Sequence, residues 1–314
     1  MKTLGPIIHS MRLRTLPLSL SGVICGVGIA DSWSGQLVLP VGPYSSLRLL
    51  FLLLTTVCLQ VLSNLSNELG DYRSGTDSAD RQGPNYSLAQ GTLDERTLQR
   101  LIRGFAIASC VCGIAMIYCT FGTLLALEPA LLLLLGAAAV WAAMHYTLGK
   151  HPYGYRGWGD LFVFLFFGLT AVLGGYYIYA VELPPTVVLL PASAIGLFSV
   201  AVLNVNNIRD MATDAGTRRT IPLVIGERKA KIYHTFLILG GWCCLVTFTF
   251  LLHRFNGFAF LYFLAAPLYV AHLVGVWRRQ GRQLDAMLPL LVMSTFALSL
   301  LLCVSVALGH PLPL

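Results

Sequence analysis

The chain has 314 residues, of which 56% are hydrophobic and 11% are charged, and its formal net charge is +7. A soluble globular protein carries about 25% charged residues, so this composition predicts a polytopic membrane protein. The sequence holds no basic soluble domain that could present the positive charge to a nucleic acid. We therefore expect no nucleic-acid partner.

Nine apolar segments follow one another along the chain. A membrane-spanning helix needs about 20 consecutive apolar residues, and segments of this kind are centred near residues 25, 55, 112, 138, 170, 197, 241, 267 and 297. The pattern predicts an all-α fold of nine transmembrane helices embedded in a lipid bilayer. They are called spans one to nine below.

The basic residues predict the orientation of this bundle. Of the 21 lysines and arginines, 19 fall in the N-terminal segment or in and beside the loops after spans two, four, six and eight, and only Arg48 and Arg254 do not. Basic residues accumulate on the cytoplasmic side of a membrane. We therefore expect a multi-pass protein whose N-terminus lies in the cytoplasm.

Acidic residues cluster at two of these cytoplasmic boundaries. The stretch "SNELGDYRSGTDSADR" lies directly behind span two, and "VLNVNNIRDMATDAGTRRT" lies at the end of span six. Both contain an Asn followed four residues later by Asp and then by a further Asp. The first acidic motif comprises Asn67, Asp71 and Asp77, and the second acidic motif comprises Asn206, Asp210 and Asp214.

The two motifs lie four spans apart, which predicts a four-helix unit used twice in the same orientation. We expect one transmembrane domain over residues 1–314. Within it, repeat one covers about 12–150, repeat two about 155–280, and an additional helix about 286–308.

The spacing of the motifs has chemical content, because residues four apart lie on one face of a helix. We expect Asn67 and Asp71 to point together, and the three residues of the second motif to do so if that helix continues. Asp77 lies beyond Gly75, where we expect the first helix to have ended. Hard oxygen ligands with little Cys or His suit Mg²⁺, which commonly bridges carboxylates to substrate phosphates. Two facing clusters would hold a diphosphate between them; the alternative is a pair of solvated acidic loop ends.

At these residues the chain resembles the UbiA-type membrane prenyltransferases, whose hallmark is two Asp-rich motifs on helices two and six. The stretches "NELGDYRSGTDSADR", "HYTLGKHPYGYRGWGDLFVFLFFG" and "AVLNVNNIRDMATD" are similar to the branch of that family that serves menaquinone synthesis. The resemblance covers nearly the whole chain.

The resemblance implies a nine-span bundle with a central cavity in a bacterial inner membrane. It also implies Mg²⁺-dependent transfer of a polyprenyl group from polyprenyl diphosphate to an aromatic acid. In this branch the acceptor is 1,4-dihydroxy-2-naphthoate, which loses its carboxylate to give demethylmenaquinone. The branch that prenylates 4-hydroxybenzoate in ubiquinone synthesis is the nearest rival.

One position departs from the family pattern. The family usually has Arg after the last Asp of the second motif, whereas Ala215 stands there in this chain. Arg218 or Arg219 is expected to supply the missing cation, and the sequence leaves open which of them does so.

A mechanism follows from these residues. Two Mg²⁺ ions would stabilise the leaving diphosphate as Lewis acids, and basic side chains would add charge-assisted hydrogen bonds. The predicted metal ligands are Asn67, Asp71, Asp77, Asn206, Asp210 and Asp214. The predicted cationic contacts are Arg81, Lys150 and Arg218, for which the alternative is a charge that only sets topology.

Three further residues are candidates for the prenyl cation and the ring. Tyr146 could stabilise the allylic cation through its aromatic face, although tyrosines are common at membrane interfaces. Asp160 opens span five, where an ionisable residue is a functional candidate, and it could position or deprotonate the ring; the alternative is a helix-start charge. Arg12 precedes span one and could pair with the aromatic carboxylate.

Two other classes of protein fit parts of the pattern. A secondary transporter would place its carboxylates near the bilayer midplane on broken helices, whereas these acids fall at span ends on one side. A CDP-alcohol phosphotransferase would need a single long acidic signature that the chain does not contain.

Overall fold

The computed structural model describes residues 4–33, 45–76, 87–252 and 256–309. Two residues of the predicted site, Asp77 and Arg81, lie outside the described residues.

Over those four ranges the fold is all-helical, as predicted. Nine helical segments are long and apolar enough to cross a membrane, and each predicted centre falls inside one of them. They cover Leu4–Trp33, Ser46–Arg73, Glu95–Phe121, Leu127–His145, Gly159–Ala180, Thr186–Arg209, Glu227–Leu251, Gly257–Arg278 and Gly281–Gly309.

Spans one to four contain mostly regular helices. Span one is interrupted at Arg12, whose φ of 50° lies in the left-handed region, so that the entering chain bends there. The helices are Leu4–Met11, the 3₁₀ turn Leu13–Thr15, Leu16–Trp33, Ser45–Arg73, Glu95–Phe121 and Leu127–His145.

Spans five to nine are less regular. Span five contains one stretch of π-helix, a form that often marks functional sites. The α-helices are Gly159–Val163, Ala171–Ala180, Leu189–Arg209, Met211–Asp214, Ile221–Ile225, Glu227–Leu251, Ala266–Arg278 and Met287–Gly309. The π-helix is Phe164–Thr170, and the 3₁₀ helices are Tyr153–Arg156, Thr186–Val188, Gly257–Ala265 and Gly281–Ala286.

Small residues bring span five close to its neighbours. A Cβ at Gly168 would lie 2.6 Å from the Cα of Gly196 in span six, and a Cβ at Gly175 would lie 2.9 Å from the carbonyl oxygen of Val23 in span one. Such close approach of backbones is common in membrane bundles. Gly174 differs, because nothing lies within 4 Å of the position its Cβ would take, and it lines an internal chamber.

Candidate active site

The first acidic motif lies on one continuous helix. Span two remains helical through Arg73, and Gly75 then adopts a φ of 74°, so the helix ends where the sequence predicted. Asn67 and Asp71 consequently share a helix face, and both line the chamber. The hydroxyl of Thr147, in the loop after span four, donates to the carbonyl oxygen of Ser66 at 2.9 Å and lies 3.2 Å from Asn67 Oδ1.

The second acidic motif is broken in the middle. The helix of span six ends at Arg209, and Asp210 takes a φ of −92° and a ψ of 7° before a single turn runs from Met211 to Asp214. The helix does not continue through the motif, so the condition under which Asn206, Asp210 and Asp214 would share one helix face is not met. The backbone N–H of Asp214 still donates to the carbonyl oxygen of Asp210 at 2.9 Å, so the turn keeps the two acids in fixed relation.

Arg218 joins the two motifs. Its guanidinium donates to Asp71 Oδ1 and lies with Nε 3.8 Å from Asp214 Oδ1, and only 10% of its side chain is exposed. Burial alone would lower the pKa of Arg218, but the carboxylates of Asp71 and Asp214 outweigh it and raise the pKa above its ordinary value. The side chain therefore stays cationic between two anions.

The structure also distinguishes Arg218 from its neighbour. The backbone N–H of Arg219 donates to the carbonyl oxygen of Tyr155 at 3.0 Å, while the Arg219 side chain is exposed. Of the two candidates that the sequence left open, Arg218 is the one whose guanidinium lies in the site.

Tyr155 completes the contact with the first motif. Its hydroxyl donates to Asp71 Oδ1 at 2.8 Å, and the Arg218 guanidinium lies 4.7 Å from its ring centroid, within the range of a cation–π interaction. Burial and the Asp71 charge raise the pKa of the Tyr155 phenol above its ordinary value, so the phenol keeps the proton that it donates.

A separate network holds Asp210. The fully buried guanidinium of Arg209 donates to both carboxylate oxygens of Asp210, at 2.8 and 2.6 Å, and to Asn206 Oδ1 at 2.8 Å. It also donates to Asp285 Oδ1 at 2.7 Å, in the 3₁₀ helix that begins span nine. Arg14 lies 3.9 Å from the other oxygen of Asp285. The network thus links the entry to span one, the end of span six and the start of span nine.

A chamber of about 420 Å³ opens beside the first motif and extends into the bundle. Asn67, Asp71, Asn206 and Arg218 lie at its polar end. Leu52 lines it 19 positions before Asp71 on the same helix, which corresponds to about 28 Å at 1.5 Å per residue. The chamber is therefore deep and becomes apolar with depth.

Aromatic rings form one wall of the chamber near its polar end. Tyr146 and Tyr153 meet edge to face at a centroid distance of 5.4 Å, Tyr153 stacks on Phe162 at 4.0 Å, and Phe166 follows at 6.2 Å from Phe162. All four line the chamber. Burial, with the charges of Asp160, Asp71 and Asp214, raises the pKa of Tyr146 to about 12 against the opposing charge of Arg218. The Tyr146 phenol therefore stays neutral at physiological pH.

The other predicted residues take different positions. Arg12 lines the chamber at the bend of span one. Asp160 does not line it and instead accepts a hydrogen bond of 2.9 Å from the hydroxyl of Tyr233. Lys150 is exposed and is not among the residues that line the chamber.

The donor set fits a hard cation. The oxygens of Asn67, Asp71, Asn206, Asp210 and Asp214 are the ligands that Mg²⁺ prefers. Within the described ranges, no three His, Cys, Asp or Glu side chains lie close enough to hold an ion by themselves. A metal here would consequently depend on amide oxygens, on waters and on substrate phosphate, which is the usual state of protein-bound Mg²⁺.

Several residues of the site escaped the sequence analysis. Arg209 is one of the many basic residues that lie on the predicted cytoplasmic side, and Phe162 and Phe166 are indistinguishable from other apolar residues of a span. Asp285 lies 76 residues beyond its partner in the chain. Gln60 and Asn64 had a visible signal, since they are polar and continue the helical spacing of Asn67 and Asp71 into an apolar span.

Comparisons with known proteins agree with this architecture. The model of the UbiA prenyltransferase family matches residues 28–308. The 1,4-dihydroxy-2-naphthoate octaprenyltransferase of Escherichia coli (strain K12) is 38% identical over 288 residues, covering 90% of this chain and 88% of that protein.

Two solved structures share the fold at low sequence identity. The apo structure of a UbiA homolog from Aeropyrum pernix K1 has a TM-score of 0.62 at 15% identity and covers 92% of this chain and 97% of its own. A UbiA homolog from Archaeoglobus fulgidus, solved bound to DMAPP and Mg²⁺, has a TM-score of 0.51 at 14% identity and covers 91% and 98%. Nine spans, two acidic motifs at one chamber and a family match over most of the sequence lead to one conclusion: the chain belongs to the UbiA family of membrane prenyltransferases.

Proposed function

We propose that this protein transfers a polyprenyl group from polyprenyl diphosphate to 1,4-dihydroxy-2-naphthoate, with loss of the ring carboxylate and in dependence on Mg²⁺. The observation that carries the proposal is the contact of Arg218 with both Asp71 and Asp214 at the mouth of the chamber. The acceptor is supported by the activity for which the Escherichia coli relative is named.

The diphosphate binds at the polar end of the chamber. Arg218 is already held between two carboxylates and donates charge-assisted hydrogen bonds to phosphate oxygens. Mg²⁺ would be held by Asn67, Asp71, Asn206, Asp210 and Asp214 together with Asp77, and when bound it supplies Lewis-acid stabilisation of the leaving group. The Archaeoglobus fulgidus homolog was solved bound to DMAPP and Mg²⁺, which supports dependence on Mg²⁺. Arg81 and Lys150 remain proposed contacts of the diphosphate.

The aromatic wall protects the reacting carbon. When the bond between the prenyl carbon and the diphosphate oxygen breaks, the electron pair leaves with the diphosphate and an allylic cation remains. Tyr146 and Phe162 line the chamber, and aromatic rings attract a cation through their faces. The apolar lining excludes water that would otherwise capture the cation.

The ring carbon that bears the carboxylate then attacks the cation and forms the new carbon–carbon bond. The carboxylate leaves as carbon dioxide, and its electron pair restores the aromatic ring, which gives demethylmenaquinone in its reduced, quinol form. Arg12 pairs with the carboxylate before it leaves. Because Asp160 is not in the lining, we assign it a positioning role, exerted through its charge on the neighbouring Tyr146.

We also propose that the polar end of the chamber faces the cytoplasm in a bacterial inner membrane, as the distribution of basic residues indicates. Thr217 is exposed in the loop after span six, so a cysteine placed there should resist an impermeant thiol reagent in intact cells. Labelling from outside the cell would contradict this orientation. We also propose that the bundle consists of two four-helix repeats in the same orientation, followed by an additional helix.

The decisive assay offers purified membranes a radiolabelled prenyl diphosphate, Mg²⁺ and one aromatic acid at a time. We expect a prenylated product and release of carbon dioxide with 1,4-dihydroxy-2-naphthoate, and loss of turnover after exhaustive chelation. A product only with 4-hydroxybenzoate would reassign the acceptor. No product with any aromatic acid would overturn prenyl transfer and leave secondary transport as the alternative.

A further inference from the structure

Span two carries a polar stripe that continues from the acidic motif into the chamber. Gln60, Asn64, Asn67 and Asp71 are spaced by four, three and four residues, which places them on one helix face. All four line the chamber. At 1.5 Å per residue, Asn64 lies about 10 Å and Gln60 about 16 Å below Asp71. Polar side chains at this depth are costly unless they are hydrogen-bonded, so their partners are informative.

Gln60 and Asn64 form a closed network with the start of span one. Asn64 Nδ2 donates to the carbonyl oxygen of Met11 at 2.9 Å and to Thr15 Oγ1 at 2.9 Å. Gln60 Nε2 donates to Thr15 Oγ1 and to Asn64 Oδ1, each at 3.1 Å. The Ser19 hydroxyl donates to Gln60 Oε1. We call Thr15, Ser19, Gln60 and Asn64 the polar shelf, and all four line the chamber.

The orientation of both amides is determined by one main-chain group. The Met11 carbonyl can only accept, so the NH₂ group of Asn64 must face it and Asn64 Oδ1 must face Gln60. Gln60 must then present its own NH₂ group to that oxygen, which leaves Gln60 Oε1 toward Ser19.

In this arrangement every N–H and O–H donor of the polar shelf is already engaged in a hydrogen bond. Both protons of each amide are used, the Thr15 hydroxyl donates to the carbonyl oxygen of Arg12 at 2.9 Å, and the Ser19 hydroxyl is used as well. Each amide oxygen accepts one of the two hydrogen bonds that it can take. The shelf can therefore offer a ligand acceptors and no donors.

We propose that the polar shelf is the binding site for the hydroxyl groups of the aromatic acceptor, with Asn64 Oδ1 and Gln60 Oε1 each accepting from one hydroxyl. The inference rests on the proposed prenyl transfer and names the part of the chamber that recognises the ring. Gln60 and Asn64 lie four residues, about 6 Å, apart along span two, which suits hydroxyls at opposite ends of one ring.

The carboxylate of the acceptor determines how the acceptor is oriented in the chamber. A carboxylate has only acceptors and is repelled by the free lone pairs of the shelf, so it lies toward Arg12 and Arg14, which line the chamber nearer the polar end. The prenyl chain then lies along the opposite, apolar wall, which includes Leu135 and Phe166. Hydrogen bonds from the ring hydroxyls to amide oxygens also raise the electron density of the ring and favour its attack on the cation.

The test combines removal of a side chain with removal of a ligand hydroxyl. The competing ligands are 2-naphthoates that lack one hydroxyl of the dihydroxy acceptor, or that carry it as a methyl ether, at position 1 or at position 4. Their inhibition constants against the dihydroxy acceptor are measured in the native protein and in Gln60→Leu. In the native protein, blocking either hydroxyl should weaken binding about three- to tenfold. In Gln60→Leu, one of these two losses should disappear while KM for the prenyl diphosphate stays within twofold.

A matched control lies on the same helix. Thr56 also lines the chamber, but its hydroxyl donates to the carbonyl oxygen of Leu52 at 2.9 Å within span two. Thr56→Val should therefore keep both losses at their native size.

Two results would overturn the proposal. One is that the methyl ethers bind the native protein as tightly as the free hydroxyls, a measurement that needs no variant and holds even if Gln60→Leu fails to fold. The other is that both losses persist unchanged in folded Gln60→Leu. Failure of the underlying prenyl transfer would be distinct, because no aromatic acid would then yield a prenylated product.

Discussion

The two acidic motifs are related in sequence, yet the chain surrounds them differently. Asp71 sits on an unbroken helix, and its partners Tyr155 and Arg218 come from distant loops. Asp210 lies beyond the end of its helix, and its main partner is the adjacent residue, Arg209. The first motif thus faces the chamber, whereas the charge of Asp210 in the second motif is partly neutralised by Arg209.

This difference shows that a repeat in sequence need not give two equivalent half-sites. Asp71 Oδ2 has no hydrogen-bond partner among the described residues and lies where a ligand can reach it, whereas both oxygens of Asp210 already accept from Arg209. Asp214, rather than Asp210, shares Arg218 with the first motif. Asp71 lines the chamber, whereas Asp210 and Asp214 are not among the residues that line it. We infer that Asp71 meets the substrate, that Asp214 acts on it through Arg218, and that Asp210 supports the second motif.

The largest expected effect separates activity from stability. Asp71→Asn should reduce kcat by about 10²-fold or more with little change in melting temperature, because Asn keeps the shape and its Oδ1 can still accept from Arg218 and Tyr155. Asp210→Asn should also remove most turnover. It should in addition lower the free energy of unfolding by about 1–3 kcal/mol, because buried Arg209 donates to both oxygens of Asp210 and would meet the NH₂ group of Asn in place of one of them. Steady-state kinetics and thermal unfolding of the two variants check these expectations. Equal stabilities of the two variants would contradict the proposed difference between the motifs.

The next effect tests the link between the motifs. Arg218→Gln should reduce kcat/KM by about 10- to 100-fold, because a buried cation that contacts both motifs is lost. Arg219→Gln is the matched control, since its side chain is exposed and only its backbone is engaged. Steady-state kinetics of the two variants should differ strongly, and similar losses in both would show that the loop charge alone matters.

A smaller effect is expected at Asp285, which positions Arg209 from outside the motif. Asp285→Asn should raise the Mg²⁺ concentration needed for half-maximal activity by about threefold to tenfold, because Arg209 then holds Asn206 and Asp210 less firmly. Binding of Mn²⁺ followed by electron paramagnetic resonance gives a readout independent of turnover. Arg282→Gln, an exposed change in the same segment, should leave both unchanged.

The smallest effect concerns the chamber rather than either motif. Gly174→Leu places a side chain into open space along the lining, and we expect KM to rise a few-fold for long prenyl diphosphates but not for a five-carbon donor. Gly104 is likewise open but exposed on span three, so Gly104→Leu should spare every donor. An equal effect of Gly174→Leu on short and long donors would argue against a prenyl chain at that position.

The fold was predictable because its signal is local. Each span is a run of apolar residues whose length matches a bilayer, so all nine centres lie within the observed spans. The end of the span-two helix just before Gly75 was also predictable, because glycine adopts a positive φ without strain.

The site was only partly predictable, because its decisive contacts are long-range. No Gly or Pro marks the break at Asp210; there the sequence reads Ile208, Arg209, Asp210 and Met211. The helix propensity of these residues does not predict a break. It also does not predict the contact of Arg209 with Asp285, which is distant in the chain. The choice of Arg218 over Arg219 likewise depends on the position of Tyr155 and Asp71 in space.

The central claim is that the two motifs act as one device across Arg218, and a double-variant cycle tests it most directly. kcat/KM for prenyl transfer is measured in Asp71→Asn, in Asp214→Asn and in the protein that carries both changes. Residues that act as a unit show strongly non-additive losses, so the double variant should be little worse than the poorer single variant. Losses that multiply in the double variant would contradict the account and make the two motifs independent sites.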